Sequence, residues 1–170
     1  MNNLSINNIN QQAKELISLL AKEKFKISFA ESCTGGFISS TLTDISGSSK
    51  VFSESYITYS NDSKFKILTV NPATLSIRGA VSEETVDEML DGLLAITDSD
   101  IVGAVSGIAG PAGGTKEKPV GTVYIGVSIR NDMEKRVVSR YNFGSRDRID
   151  IKKLTTSTIF QLITELVSKK

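Results

Sequence analysis

Apolar residues over the first two dozen positions recur at mixed three- and four-residue spacing: Leu4, Ile6, Ile9, Ala13, Leu16, Ile17 and Leu20. That spacing puts them on one face of an amphipathic helix, predicted from Leu4 to about Lys24. The pattern then changes to a short buried strand from Lys26 to Ala30. Gly35-Gly36 follows, after which Phe37, Ile38, Leu42 and Ile45 return to helical spacing until Gly47. Val51 to Tyr59 is rich in β-branched and aromatic residues, as in a strand. Ser60 or Asn61 is placed to cap a short helix containing Lys64 and Ile67, and Pro72 opens a further helical turn.

Ser82 followed by Glu83 and Glu84 makes a capped, acidic first turn for an amphipathic helix through Met89, Leu90, Leu93 and Leu94. Asp100 to Ser106 is a continuous apolar run, the mark of a strand buried on both faces. Gly107, Gly110, Pro111, Gly113, Gly114, Pro119 and Gly121 then exclude regular structure over 107–122, a long loop of the kind that carries function. Val123 to Ile129, a turn at Asn131-Asp132 and Arg136 to Phe143 predict a β-hairpin. A helix from about Asp147 to Val167 closes the pattern. Helices alternating with strands, then one hairpin, predict a three-layer α/β/α sandwich with a mixed β-sheet. At 170 residues it is expected to be one domain, residues 1–170.

Composition sharpens this in one respect: the chain contains no histidine. Lys and Arg number 20 against 19 Asp and Glu, a formal net charge of +1, so bulk charge gives no reason to expect nucleic acid or a membrane as partner. A local basic patch stays open. The single cysteine, Cys33, forms no intrachain disulfide, and the N-terminus lacks the features of a secretory signal, so a cytoplasmic location is expected. No apolar run approaches the roughly 18 residues that span a bilayer. With one cysteine and no histidine, carboxylates are the remaining metal ligands and a structural zinc site is not expected.

The candidate chemistry starts at Ala30-Glu31-Ser32-Cys33-Thr34-Gly35-Gly36, where a strand end meets a helix start. In α/β sheets, ligands gather beyond the carboxyl ends of strands. Ser32 there is a nucleophile or part of an anion cradle, with N–H groups around Thr34, Gly35 and Gly36 suited to a phosphate or oxyanion. Equally, Ser32 or Thr34 caps the following helix. Without histidine, a serine nucleophile needs another base, and Lys64 in Thr58-Tyr59-Ser60-Asn61-Asp62-Ser63-Lys64 is the candidate. A lysine of ordinary pKa is only about one part in a thousand neutral near pH 7.5, so burial or a helix N-terminus must lower it. The plain alternative is one more solvated lysine. Ser106, Gly107 and Gly110 open a glycine-rich segment that matches neither a Walker A nor a dinucleotide motif, and either exposes N–H groups to an anion or is a mobile loop. Cys33 is a reactive thiol or a small buried residue. Glu31 orders the loop by accepting N–H bonds or pairs with a lysine, and Arg146 and Arg148 bind phosphate or lie in solvent.

Taken together, the 30–36 segment, Thr58-Tyr59-Ser60-Asn61 with Lys64, Gly79-Ala80-Val81-Ser82-Glu83, Ser106-Gly107-Ile108-Ala109-Gly110-Pro111 and Glu117-Lys118-Pro119-Val120-Gly121-Thr122-Val123 resemble the CinA C-terminal domain family. Its stand-alone members include nicotinamide-nucleotide amidase. The resemblance implies an anticodon-binding-domain-like α/β/α fold and hydrolysis of the carboxamide of nicotinamide mononucleotide to nicotinate mononucleotide and ammonia. On it Ser32 matches the nucleophile, Lys64 the general base and Tyr59 a neighbouring hydroxyl that relays the proton or binds substrate. Glu31, Thr34, Gly35, Gly36, Ser106, Gly107, Gly110 and Arg146 fall to substrate binding. No metal or organic cofactor is implied; the partner is a small nucleotide, and a homo-oligomer is left open. Ala112, Ser55, Ser145 and Asp150 depart from the family pattern, which keeps open a non-catalytic nucleotide-binding module or an amidase for a different carboxamide.

Overall fold

A computed structural model describes residues 5–169; Leu4, the first residue of the predicted pattern, lies outside them. Helix α1 (Ile6–Glu23) is capped by Ser5 and buries Ile9, Ala13, Leu16, Ile17 and Leu20, the predicted stripe. Strand β1 (Ile27–Glu31) is buried throughout. Helix α2 (Phe37–Thr43) follows, and a 3₁₀ turn Ser48–Lys50 leads into β2 (Phe52–Ile57). α2 stops four residues short of Gly47, which instead takes φ 93° at the start of that turn. Helices α3 (Asn61–Leu68), α4 (Pro72–Ile77) and α5 (Glu83–Ile96) come next, then β3 (Ile101–Gly107), β4 (Thr122–Ile129), β5 (Asp132–Asn142) and α6 (Arg148–Ser168).

The five strands form one sheet in the order β2-β1-β3-β4-β5. β1 lies parallel between β2 and β3, whereas β4 and β5 are antiparallel, so the sheet is mixed as the element order predicted. Each face carries its own apolar cluster. On one, α1, α2 and α6 pack against Ile27, Phe29, Val105 and the inward residues of β4. On the other, α5 and the ends of α3 and α4 pack against Ala30, Val102 and Ala104. This alternation of 27 and 29 with 30, and of 105 with 102 and 104, is the period-two consequence of the strand pleat. Three layers result.

Two contacts fix where α3 sits. Its start is a capping box: the Ser60 hydroxyl accepts from the Ser63 N–H at 3.0 Å, and the Ser63 hydroxyl from the Ser60 N–H at 3.1 Å. Its end rests directly on α5 at Gly92, where an added methyl group would overlap the Leu68 carbonyl. Backbone-to-backbone packing of that kind requires glycine. No helix among the described residues is long and apolar enough to cross a membrane.

Candidate active site

Ser32 stands one residue beyond β1, and its N–H continues the ladder by donating to the Val105 carbonyl at 3.1 Å. The chain then turns sharply, with Gly35 at φ 60° and Gly36 at φ 93°, before α2 begins. Those left-handed conformations explain the Gly-Gly pair. Neither Ser32 nor Thr34 caps α2: Gly36 is the N-cap residue. The anion at this helix start is Glu31, fully buried, whose carboxylate accepts from the N–H groups of Gly36 (2.9 Å), Ile38 (3.1 Å) and Ser39 (2.9 Å) and from the Ser39 hydroxyl (2.6 Å). A charge on helix N–H groups is well placed against the helix dipole. Glu31 therefore locks the turn that presents Ser32, and its oxygens are spent on it.

Lys64 is carried to Ser32 by α3. Its side chain is fully buried, its Nζ lies 2.9 Å from the Ser32 Oγ, and it donates to the Thr58 carbonyl at 2.7 Å. No carboxylate forms an ion pair with it among the described residues. Burial pulls its pKa down from 10.5 to about 8, because the charged form loses water without gaining an anion. Near neutral pH roughly a tenth of such amines are uncharged, a few hundredfold more than for an exposed lysine. A neutral amine has two N–H donors and a lone pair; with one N–H on Thr58, the lone pair is available to the Ser32 O–H. The solvated-lysine alternative does not hold.

Above Ser32 lies a cavity of about 240 Å³, lined among others by Tyr59, Ala80, Ser106, Gly107, Gly110 and Arg148. Among the described residues, no aspartate or glutamate lines it. One cation of α6, Arg148, lines this cavity, and a second, Lys152, lies one turn further on outside the lining. The Arg148 guanidinium is 3.4 Å from the Tyr59 hydroxyl, and the Lys152 ammonium lies over Gly35, 3.6 Å from where a Cβ would stand. Lys152 was not anticipated; its four-residue spacing from Arg148 was the available signal.

The structure corrects four expectations. Arg146 does not line the cavity: it is exposed and donates to the Phe143 carbonyl at 2.9 Å, and Arg148, two residues on, occupies the place expected for it. The Gly35 N–H donates to the Ser32 carbonyl at 3.1 Å and the Gly36 N–H to Glu31, so neither is left for substrate. Thr34 is fully buried and outside the cavity lining, and Glu31 faces α2. Tyr59 is 62% exposed and touches Arg148 rather than Ser32 or Lys64, so it borders the mouth and relays no proton in this geometry. Cys33 is buried, with its thiol pushed up to about 12 by desolvation, which makes it the inert alternative. The glycine-rich loop is anchored: Lys118 reaches the Arg78 carbonyl at 2.8 Å and Arg140 the Glu117 carbonyl at 2.6 Å. Of the departures from the family pattern, Ala112 lines the cavity, Ser145 lies in a neighbouring cleft, and Asp150 pairs with Lys153 at 3.4 Å. None touches Ser32 or Lys64.

Known proteins place this chain in a family. A CinA-like protein of Endomicrobium trichonymphae is 51% identical over 152 residues, covering 89% of this chain and 35% of its own length. One from Petrotoga mobilis is 48% identical over 155 residues, covering 91% and 38%. The chain thus spans a little over a third of these curated relatives. Among solved structures, the competence/damage inducible protein CihA of Agrobacterium tumefaciens superposes with a TM-score of 0.90 at 37% identity, over 93% of this chain and 94% of that one. A CinA superfamily protein of Klebsiella pneumoniae gives 0.89 at 28% identity, over 96% and 99%. Residues 9–167 match the family described as CinA C-terminal domain, and the chain belongs to that family.

Proposed function

We propose that this chain is a Ser/Lys amidohydrolase that cleaves the carboxamide of nicotinamide mononucleotide, giving nicotinate mononucleotide and ammonia. The observation that carries this is the buried, carboxylate-free Lys64 amine 2.9 Å from the Ser32 hydroxyl in a chain without histidine. Neutral Lys64 takes the Ser32 proton as the oxygen attacks the amide carbon. The protonated amine returns that proton to the departing nitrogen, the C–N bond breaks, and ammonia leaves an acyl-enzyme on Ser32. Water, deprotonated by the same lysine, then hydrolyses the ester. The oxyanion is assigned to the N–H of Cys33, which follows the nucleophile and lines the cavity. One such donor typically contributes about 3 kcal/mol of transition-state stabilisation.

Substrate identity is supported by charge. Arg148 stands at a mouth with no carboxylate among its described lining residues, which suits the phosphate of a mononucleotide. The test is ammonia release from nicotinamide mononucleotide, beside nicotinamide and nicotinamide riboside, with Ser32→Ala as control. Release from the mononucleotide alone, lost in the variant, is expected. Binding without release would favour a non-catalytic nucleotide module, and release from another carboxamide would favour a related amidase.

A further inference from the structure

The pairing of β1 with β3 runs Glu31 opposite Val105, so the next pair at the strand ends is Ser32 opposite Ser106. Neighbouring parallel strands lie about 4.8 Å apart, and directly opposed residues share a face of the sheet. Ser106 therefore stands beside the proposed nucleophile, on the face toward Lys64 and α5. Both it and Ala80 line the cavity.

The Ser106 hydroxyl is not a general-purpose group. It is 1% exposed, and its oxygen lies 2.6 Å from the Ala80 carbonyl. A carbonyl only accepts, so the single hydroxyl proton is committed to it, leaving Ser106 with lone pairs alone. A ligand atom meeting that oxygen must bring a proton. An amide N–H satisfies this; a carboxylate or ester oxygen is repelled.

We propose that Ser106 selects a primary carboxamide, its acceptor-only oxygen receiving an N–H from the amide nitrogen that departs. This rests on the amidohydrolase reading of the same site and adds to it the group that holds the leaving nitrogen. Ser106 transfers no proton: the proton taken from Ser32 passes through Lys64 to that nitrogen, the C–N bond breaks, and ammonia forms. Once the acyl-enzyme is hydrolysed, a carboxylate oxygen faces Ser106 where an N–H had been, which favours product release.

The test separates recognition from turnover. In the Ser32→Ala background, dissociation constants are measured for nicotinamide mononucleotide and for nicotinate mononucleotide. Adding Ser106→Ala is expected to shift the amide-to-carboxylate affinity ratio toward the carboxylate by about tenfold, the upper end for one neutral hydrogen bond. Ser106→Thr, which keeps the hydroxyl, is expected to preserve the ratio. A ratio unmoved by Ser106→Ala overturns the proposal. With Ser32 intact, Ser106→Ala is expected to lose about tenfold more kcat/KM on the carboxamide than on the methyl ester of nicotinate mononucleotide; equal losses also overturn it. Because the binding ratio needs no turnover, a protein that binds both ligands and hydrolyses neither refutes the amidase while still deciding the role of Ser106.

Discussion

Lys64 and Arg136 are two cations drawn out of water in this fold, and they are treated in opposite ways. The Arg136 side chain on β5 is 11% exposed and is met by two aspartates of α5, Asp87 at 2.7 Å and Asp91 at 2.7 Å, and by the Asp87 carbonyl at 2.8 Å. Burial alone would lower its pKa, but the hydrogen bonds to Asp91 and Asp87 more than offset that and raise it. Lys64, at the other end of the same face, receives one carbonyl and one hydroxyl and no carboxylate. Its pKa falls to about 8. Lys64 lies deeper, and the two differ as well in what surrounds them: a cation kept charged is given anions, and an amine that must lose its proton is denied them.

That contrast can be broken at either end. The largest effect is expected for Lys64→Ala, which should lower turnover on the carboxamide at least a hundredfold, the scale of losing a general base. Single-turnover assays check it. Next, kcat/KM should rise with pH through about 8 and level off above it, as Lys64 is neutralised. The sign for stability is the same. Unfolded, the lysine holds its proton to about 10.5 and folded only to about 8, so the unfolded chain binds more protons between those values and Lys64 makes the protein more stable as pH rises across them. Urea titrations at pH 7.5 and 10 should show this, and Lys64→Met should flatten it. A smaller, paired effect follows: Lys64→Met at pH 7 should raise Tm by a few degrees, because a buried charge without an anion is replaced by an apolar chain. Arg136→Met should lower Tm slightly, because its hydrogen bonds to Asp87, Asp91 and the Asp87 carbonyl are lost while both carboxylates stay hydrated. Equal signs in the two melts would show that the carboxylates are not what separates the two sites.

The layer order was legible in the sequence because each element announced itself locally. The α1 stripe, the Ser60 and Ser82 caps, the apolar run of β3 and the 107–122 breakers all act within a few residues of chain. Ser32 and Lys64 were legible as residue types, by elimination of histidine and by the family resemblance. Their contact was not, since 32 positions separate them and only the parallel placement of β1 beside β2 brings α3 over Ser32. What the sequence hid was direction. Glu31 and Ser32 are adjacent, yet the pleat sends one carboxylate into α2 and the hydroxyl to the opposite face. Arg146 and Arg148 are two apart at a helix start, and only the first turn of α6 decides which one reaches Tyr59.

Gly92 never approaches the cavity, but it sets how deep α3 lies, and Lys64 is one turn before Leu68 on that helix. For protein engineering this creates a trap. Propensity scales recommend alanine for a glycine inside a helix, with a gain of about 1 kcal/mol. Here the added methyl meets the Leu68 carbonyl, and relief comes by moving α3 outward, drawing the amine off the hydroxyl it has to deprotonate. A substitution chosen to harden the fold would thus loosen it, because a clash with backbone outweighs the propensity gain, and it would detune a site it never touches.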